Sequence, residues 1–438
     1  MNGTRPPRVN DRPIKPRSYA HFDDPMSEVD LVGFSPTPAQ VAAHSFLPLL
    51  GYEKKTRKID FSVFPPLVES KGRKIKYAAH KDSAIYSFYS RELSRVYETY
   101  LVSNRLDRCV LAYRSGIGYN VPFAKSLFDE IRRHAGCTVV CLDLSKFFDR
   151  LAHDKLKTSL QTVLNVDRLA PDWHRIFERH TRFEYVDVDE LEASIGKNTR
   201  RRICSIDTFR RAVRPLVRKN PENIGIPQGT PLSGLLANVY MIGFDAVVQQ
   251  HLGQLGGSYR RYSDDIALLV PADVDVSELL EFMARQAVLA GAKLNEQKTC
   301  VSRFTRDDAG LLRCEGDLLQ YLGFTFNGKS ILIRAESMKA FYARMKTNIR
   351  RYVRSAAKNG LPLAQLRKRV LVGRFTHWGD SRNFVQYAYR AASEFGAPEV
   401  KRQLRNHVDI FDRYWIAMLR KYGPNQVAPS EAGEDTDG

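Results

Sequence analysis

Two short apolar runs in the chain each adjoin an aspartate. Residues 137–142 read CTVVCL and end on Asp143, and residues 266–270 read IALLV directly after the segment 262–265, YSDD. Apolar runs of this length between polar segments are typical of buried strands. We therefore predict two buried strands that bring Asp143 and the aspartates of YSDD to the same edge of a sheet.

A helical pattern follows residue 334. Its apolar positions recur at helical spacing and are Met338, Phe341, Tyr342, Met345, Ile349 and Val353. Its basic positions fall on another face and are Lys339, Lys346, Arg350 and Arg354. Such a helix can pack on one face and lie along a nucleic-acid duplex on the other. The remaining pattern fits two or three more helices between Leu363 and Leu419.

Composition and charge point to a nucleic-acid partner. The 438 residues are 43% hydrophobic and 27% charged, enough for two to three subdomains. The formal net charge is +19, and the stretch 336–421 alone holds 19 Lys and Arg against 6 Asp and Glu, an excess of 13. A basic surface concentrated in this way is typical of proteins that bind a phosphate backbone.

Further features of the sequence bear on where in the cell the protein is found. There is no run of about 18 apolar residues, and the N-terminus lacks the apolar core of a signal peptide. The six cysteines form no CxxC pair. We expect a cytoplasmic protein with reduced thiols and no membrane partner.

The two aspartate sites also predict chemistry. Carboxylates at the ends of apolar strands are costly to desolvate unless a cation compensates their charge. Two of them at one sheet edge indicate a site for two divalent cations that promote in-line phosphoryl transfer. Taken alone, YSDD also fits an ordinary hairpin turn in which Asp serves the backbone.

Five segments in a fixed order decide between these readings. They are 143–149 (DLSKFFD), 225–234 (GIPQGTPLSG), 262–265 (YSDD), 294–299 (LNEQKT) and 321–326 (YLGFTF). The series resembles palm motifs A to E of reverse transcriptases, and the basic segment 71–76 (KGRKIK) is similar to their fingers hairpin. The resemblance covers roughly residues 71–326, more than half of the chain.

The resemblance implies an α+β, right-hand polymerase fold, with fingers, a palm of antiparallel sheet plus helices, and a helical thumb. The predicted bounds are a basic flexible arm at 1–20, fingers at 21–136, palm at 137–333 with a basic helical insertion at about 155–223, thumb at 334–421 and a disordered acidic tail at 422–438.

It also implies roles at the catalytic centre. Asp143 and Asp264 would bridge two Mg²⁺ ions, with Mn²⁺ as an alternative, and the Leu144 carbonyl would add a ligand. Asp265 would be a further catalytic carboxylate of the metal site that acts more by its charge than by direct ligation.

Five further residues are predicted to bind the deoxynucleoside triphosphate. Arg73, or else Lys71, would grip the triphosphate, because a guanidinium suits bidentate phosphate binding. Phe148 would lie under the sugar and exclude a 2′-hydroxyl, whereas its neighbour Phe147 is read as core. Gln228 would lie over the nucleotide, and Lys298 would protonate the leaving pyrophosphate.

Nucleic acid is expected to contact three regions. They are Arg200, Arg201 and Arg202 in the insertion, Asn238 on the template side of the motif B helix, and the basic face of the predicted thumb helix. A merely solvated charge run remains the alternative for the insertion.

Missing features narrow the subfamily. We expect no RNase H, endonuclease or maturase-type domain after the thumb, and the Val-Thr-Gly signature of retron thumbs does not appear after Phe326 in this sequence. Motif B carries Gly234 where enzymes of diversity-generating retroelements carry Gln. The chain looks most like compact Abi-like or "unknown group" bacterial enzymes of antiphage defence. The implied partners are dNTPs, a companion noncoding RNA template and the cDNA product.

Three alternatives stay open. The enzyme could extend a tyrosine hydroxyl of a protein with little or no templating, it could be a catalytically silent RNA-binding module, or it could be an RNA-dependent RNA polymerase. Phe148 and the YSDD segment argue against the last. The template, the primer, the effector and the oligomeric state do not follow from the sequence.

Overall fold

The structure is a computed structural model of the chain. It describes residues 13–60, 67–134, 136–197, 200–379 and 382–423, without the side chains of residues 56–60, 67–71 and 364. The chain divides into two units, of which the first comprises Met1–Gly118 and Val140–Thr299 and the second Tyr119–Val139 and Cys300–Gly438. The predicted bounds of fingers, palm and thumb stay predictions.

The secondary structure is a mixture of helices and mostly antiparallel strands. Up to Asp143 the elements are α1 (Glu28–Leu31), α2 (Pro38–Ala42), β1 (Leu49–Asp60), β2 (Leu67–Tyr77), α3 (His80–Ser103), α4 (Asn120–Arg133) and β3 (Cys137–Asp143). As far as Leu289 they are α5 (His153–Leu164), α6 (Pro171–Thr181), β4 (Glu184–Asp187), α7 (Val188–Ile195), α8 (Ile206–Thr208), β5 (Arg218–Lys219), α9 (Ser233–Tyr240), α10 (Ile242–Gln254), β6 (Ser258–Tyr262), β7 (Asp265–Pro271) and α11 (Val276–Leu289). The rest are β8 (Cys300–Arg306), β9 (Leu312–Gly316), β10 (Leu319–Tyr321), β11 (Phe324–Phe326), β12 (Ile331–Ile333), α12 (Ala335–Lys358), α13 (Arg369–Phe375), α14 (Phe384–Phe395), α15 (Pro398–Arg402) and α16 (His407–Tyr422).

The two apolar runs form buried strands, as predicted. All of β3 is buried, and β7 is buried from Ile266 to Val270. β6 pairs with β7 in an antiparallel hairpin that closes on Tyr262 opposite Asp265, and β3 lies beside β7 in the order β6-β7-β3. The carboxyl end of β3 and the turn of the hairpin therefore reach the same edge of the sheet.

A second sheet of the first unit has the order β2-β1-β4-β5. β1 and β2 form the antiparallel basic hairpin, with Lys54 opposite Arg73, and β4 pairs in parallel with the start of β1. The predicted helical insertion is thus corrected, because it supplies two strands besides α5 to α8. Its Val186 and Leu191 are buried against Phe22 and Leu50, so burial of apolar side chains holds it on the sheet.

The predicted flexible arm is wrong for its last eight residues. Ile14 is buried against Leu31 and Ala84, and the Tyr19 hydroxyl donates to the Ala78 carbonyl at 2.8 Å. These contacts fix residues 13–20 on the first unit. Residues 1–12 of the arm and 424–438 of the acidic tail lie outside the described residues.

The second unit contains the predicted thumb helix. α12 buries Phe341, Met345, Ile349 and Val353, while Met338 and Tyr342 are half-buried. The four predicted basic residues are exposed, as an amphipathic helix requires. In the part of this stretch that the structure describes, four helices, α13 to α16, follow where two or three were predicted. The unit also contains the three-stranded sheet β10-β11-β12.

Among the residues that the structure describes, no helix combines the length and the apolar character needed to cross a bilayer.

Candidate active site

The turn between β6 and β7 carries the aspartate pair in an unusual backbone conformation. Ser263 has φ of +63°, a left-handed conformation that is uncommon for residues other than glycine. Such a conformation persists only where the surrounding structure holds it in place. In the turn Asp264 is half-buried and Asp265 is exposed.

Main-chain hydrogen bonds join three of the predicted motifs. The Leu144 amide donates to the Asp264 carbonyl at 3.0 Å, and the Asn295 amide donates to the Asp143 carbonyl at 2.8 Å. The structure therefore brings together the ends of motifs A and C, as the strand pattern predicted, and places motif D beside them. Asp143, Leu144 and Asp264 lie at one edge because the backbone fixes their register.

The carboxylate of Asp143 already attracts a cation. Its side chain is 11% exposed, and its Oδ1 lies 2.6 Å from the Lys298 ammonium. The Asn295 amide nitrogen lies 3.4 Å from the other carboxylate oxygen. The structure thus brings Lys298 to Asp143, and its predicted role toward the leaving pyrophosphate stays a prediction.

The donor set suits a hard divalent cation. Carboxylate and carbonyl oxygens are the ligands that Mg²⁺ and Mn²⁺ take in proteins. Within the described residues no group of three or more His, Cys, Asp or Glu side chains is arranged to hold a metal. The fit therefore rests on two aspartates and a main-chain carbonyl, with the Lys298 ammonium showing that the position favours positive charge.

The segment after Asp143 joins motif A to motif B. Phe147 is buried, as predicted, and Phe148 is half-buried. The Phe148 carbonyl accepts from the Ile226 amide at 2.9 Å, and the Leu151 carbonyl accepts from the Gly225 amide at 2.8 Å. These bonds fix Phe148 beside the glycine-flanked loop.

That loop also contacts the end of the basic hairpin. The Gln228 carbonyl accepts from the Lys76 amide at 2.8 Å. Gly229 has φ of +132°, and a Cβ there would lie 2.6 Å from the Lys76 carbonyl oxygen. Only glycine allows this close approach of loop and strand.

A buried histidine that no sequence motif singled out supports the same loop. His180 on α6 is fully buried and lies 3.0 Å from the Thr230 hydroxyl, which is 2.5 Å from that of Ser233. The Ser233 hydroxyl donates to the Pro227 carbonyl at 2.6 Å. Burial lowers the pKa of His180 to about 4, so the ring is neutral near pH 7; its other nitrogen lies 2.9 Å from the Ile176 carbonyl.

The basic hairpin contributes an unexpected cation. Lys76 is half-buried, with its ammonium 4.9 Å from the ring centre of Tyr185. Burial lowers the pKa of Lys76, and the charge of Asp149 counteracts that shift. The predicted Arg73 is exposed three residues earlier on β2, and the side chain of Lys71 lies outside the described part of the chain.

Asn238 is not a nucleic-acid contact, which corrects the prediction from motif B. Its side chain is fully buried. Its amide nitrogen donates to the Ala112 carbonyl at 2.6 Å, and its amide oxygen accepts from Arg261 at 3.1 Å. The helical position predicted from sequence was right, but tertiary packing turned the residue into the core.

The arginines of the insertion differ from one another. Arg202 forms an ion pair with Asp24 at 2.8 Å, so part of its charge serves to hold the chain near residue 24. The Arg201 carbonyl accepts from the His21 amide at 2.9 Å, whereas the Arg201 and Arg200 side chains are exposed. Contact of these two with nucleic acid stays a prediction.

The basic face of α12 lies in the second unit. Lys339, Lys346 and Arg354 are exposed. Arg350 is exposed as well and donates to the Tyr414 hydroxyl at 2.9 Å. Their role toward a duplex stays a prediction.

Comparison with known proteins identifies a family match over the region that contains these motifs. A family model described as reverse transcriptase (RNA-dependent DNA polymerase) matches residues 84–326, more than half of the chain. The retron Ec86 reverse transcriptase of Escherichia coli is 34% identical over 89 residues, which are 20% of this chain and 28% of that protein. The chain therefore matches less than a third of that relative's length.

Solved structures show weaker likenesses. Apo telomerase from Candida tropicalis has a TM-score of 0.42 and 11% identity over 89% of this chain and 63% of its own. Telomerase from Candida albicans, in complex with a fragment of telomeric RNA, has a TM-score of 0.38 and 14% identity over 88% of this chain and 65% of its own. TM-scores this low carry no argument here.

Proposed function

Because the chain belongs to the reverse transcriptase (RNA-dependent DNA polymerase) family, we propose that it synthesises DNA from dNTPs on an RNA template. The observation that carries the proposal is the convergence of Asp143, Asp264 and Lys298 at one sheet edge, where main-chain bonds join the segments of the two aspartates and the Lys298 ammonium pairs with Asp143.

The catalytic carboxylates would hold the metal ions. Two Mg²⁺ ions, or Mn²⁺ in their place, would supply Lewis acidity toward the primer hydroxyl and the phosphate charge. Asp143 and Asp264 would bind them together with the Leu144 carbonyl, and Asp265 would add negative charge at the exposed side of the turn.

The substrate would be held by the surrounding loops. Phe148 and Gln228, which would contact the sugar and the nucleotide, lie on segments whose backbones are hydrogen-bonded to one another or to β2. Arg73 or Lys71 would bind the triphosphate. The main chain of Lys76 bonds to Gln228 and so holds β2, which carries Arg73 and Lys71, against the loop that contains Gln228.

Lys298 gives a direct test of this arrangement. We expect Lys298→Met to lower the single-turnover rate of nucleotide addition by about 10²-fold, the low end of general-acid contributions. The reason is that the ammonium reaches the carboxylate that faces the reaction. The exposed Lys293 on the same segment provides a control, since Lys293→Met should keep the rate of the wild type. Equal rates for all three proteins would exclude Lys298 from the chemistry.

The basic face of α12 would bind the template–product duplex. We expect joint replacement of Lys339, Lys346, Arg350 and Arg354 by Gln to lower the salt slope of duplex binding by about three. Each lost phosphate contact removes released counterions, so the binding constant should depend less steeply on salt concentration. Fluorescence anisotropy at several salt concentrations measures the slope.

Two exposed basic residues of the first unit serve as the control for this measurement. Lys81→Gln with Arg108→Gln removes exposed charge from the first unit and should leave the slope unchanged. An unchanged slope in the α12 variant would mean that the basic face of α12 does not contact the duplex.

We further propose that the template is a companion noncoding RNA and that the enzyme acts in antiphage defence in the cytoplasm. The basic excess of the C-terminal region and the similarity to a retron reverse transcriptase support this proposal. The test is to purify the protein with its native flanking DNA and to sequence the nucleic acid that co-purifies, before and after RNase. One abundant structured RNA with complementary DNA is expected. Random or homopolymeric DNA would contradict a dedicated template.

One observation favours protein-primed synthesis as a second candidate. Tyr113 is 50% exposed, and its hydroxyl lies 3.3 Å from the hydroxyl of Ser263 in the catalytic turn. The sequence singled out no tyrosine, whereas this contact does. Radiolabel from an α-labelled dNTP that stays on the protein after RNase and denaturation, and is lost in Tyr113→Phe, would support protein priming. Absence of label on the wild type would reject it.

A further inference from the structure

A fully buried ion pair lies directly behind the catalytic turn. Arg261 precedes the YSDD segment on β6, and Asp245 lies on α10; both side chains are 0% exposed. The guanidinium meets the carboxylate with two parallel hydrogen bonds, Nε to Oδ1 at 2.7 Å and Nη2 to Oδ2 at 2.6 Å. This fork geometry fixes the orientation of the guanidinium as well as its position.

The remaining end of the guanidinium points at the turn. Its Nη1 donates to the Ser263 carbonyl at 3.1 Å and to the Asn238 amide oxygen at 3.1 Å. Ser263 is the residue with positive φ, and the next residue is Asp264, whose own carbonyl accepts from Leu144. Arg261 therefore holds the peptide between Ser263 and Asp264, the aspartate that would bind metal.

The partners of the pair are themselves fixed. The Tyr259 hydroxyl donates to Asp245 at 2.6 Å, and Asn238 donates to the Ala112 carbonyl at 2.6 Å. The main chain of Arg261 bonds to that of Cys109 at 2.7 Å and of Leu111 at 2.9 Å. Burial by itself would lower the pKa of Arg261, but the charge and hydrogen bonds of Asp245 raise it above its ordinary value, so the guanidinium stays charged.

Stability alone gives little reason for such a pair. A buried ion pair can often be replaced by apolar side chains of similar volume without loss of stability, because desolvation of the charges offsets their attraction. An apolar pair, however, could not donate a hydrogen bond to the Ser263 carbonyl. The contact with the turn is the property that only the arginine supplies.

We propose that Arg261, oriented by Asp245, is a positioning residue that holds the YSDD turn so that Asp264 stays in register with Leu144. The inference rests on the proposed DNA synthesis, since it assigns the ion pair a role in shaping that site. It predicts that the turn loses its geometry, and the aspartates their metal affinity, when the guanidinium is removed from a folded protein.

The test compares two ways of removing the contact. Arg261→Lys keeps the charge and loses the fork, and Arg261→Met with Asp245→Leu removes both charges and keeps the volume. We expect both to lower kcat at least about 10-fold at unchanged KM for dNTP. We also expect weaker Mn²⁺ binding by electron paramagnetic resonance, a measurement that does not depend on turnover. Thermal unfolding of each protein is followed in parallel.

The chain offers a matched control. Arg114 and Glu98 form another forked, buried pair at 2.6 Å in the same unit, and Arg114 donates to the carbonyls of Asp107 and Val110 instead of the turn. In the variant Arg114→Met with Glu98→Leu, kcat and Mn²⁺ binding should fall only in proportion to any loss of folded protein.

The outcomes separate the two claims. A wild type that makes no DNA on any RNA template contradicts the proposed function. An active wild type, with Arg261 variants that are folded and match it in kcat and Mn²⁺ binding, overturns the positioning role. Activity losses that follow only the unfolded fraction, as in the Arg114 control, or variants that do not fold at all, would make the pair an ordinary core ion pair.

Discussion

With asparagine in place of Asp264, we expect DNA synthesis to fall about 10³-fold or more. The substitution keeps the size of the side chain and removes its charge. The turn that carries Asp264 is fixed by main-chain bonds to Leu144 and by Arg261, so the neutral side chain should occupy the same place. The loss would then report the missing carboxylate rather than a distorted fold.

Primer extension on an RNA template measures this effect, together with thermal unfolding. Asp273 lies exposed in the segment that follows β7, and Asp273→Asn serves as the matched control with expected wild-type rates. Retention of synthesis in Asp264→Asn would remove Asp264 from the metal site. In cells, phage protection that survives Asp264→Ala with Asp265→Ala would favour the catalytically silent RNA-binding alternative.

The second large effect concerns the sugar of the incoming nucleotide. We expect Phe148→Ala to lower the preference for deoxynucleotides over ribonucleotides by about 10²-fold, since a steric contact worth a few kcal/mol is lost. Phe148 is half-buried and its carbonyl is bonded to Ile226, so its backbone is fixed beside the Gln228 loop. Removal of the ring should open space without moving the loop.

The measurement is the ratio of kcat/KM for dNTP and for the matching rNTP. Phe148→Tyr keeps the ring and should keep the preference of the wild type. A preference that is unchanged in Phe148→Ala would contradict the assignment of Phe148 as the residue that excludes the 2′-hydroxyl. A wild type that already uses both sugars equally would instead support the RNA polymerase alternative.

The comparisons confirm the family that the five ordered motifs predicted, and the mixture of helices and antiparallel sheets confirms the predicted α+β class. The roles of individual site residues stay predictions for the experiments above. Asn238 is the exception, because its burial contradicts a contact with nucleic acid.

Local sequence determined the elements on which the site is built. The apolar runs before Asp143 and after Asp265 specify two strands, because side chains of such runs are stable only when buried. The apolar spacing along α12 likewise specifies an amphipathic helix with an exposed basic face. Each of these signals lies within one segment and depends on the period of the local backbone.

Only the tertiary structure decided which distant residues support the site. His180 lies 50 residues from Thr230, and Tyr113 lies 150 residues from Ser263, so no local period links them. Arg261 and Asp245 read in the sequence as ordinary charged residues, and their complete burial as a pair follows from packing of β6 against α10. Hydrogen bonds between remote segments depend on how the chain folds in three dimensions. Local periodicity in a single sequence does not indicate which distant residues will meet.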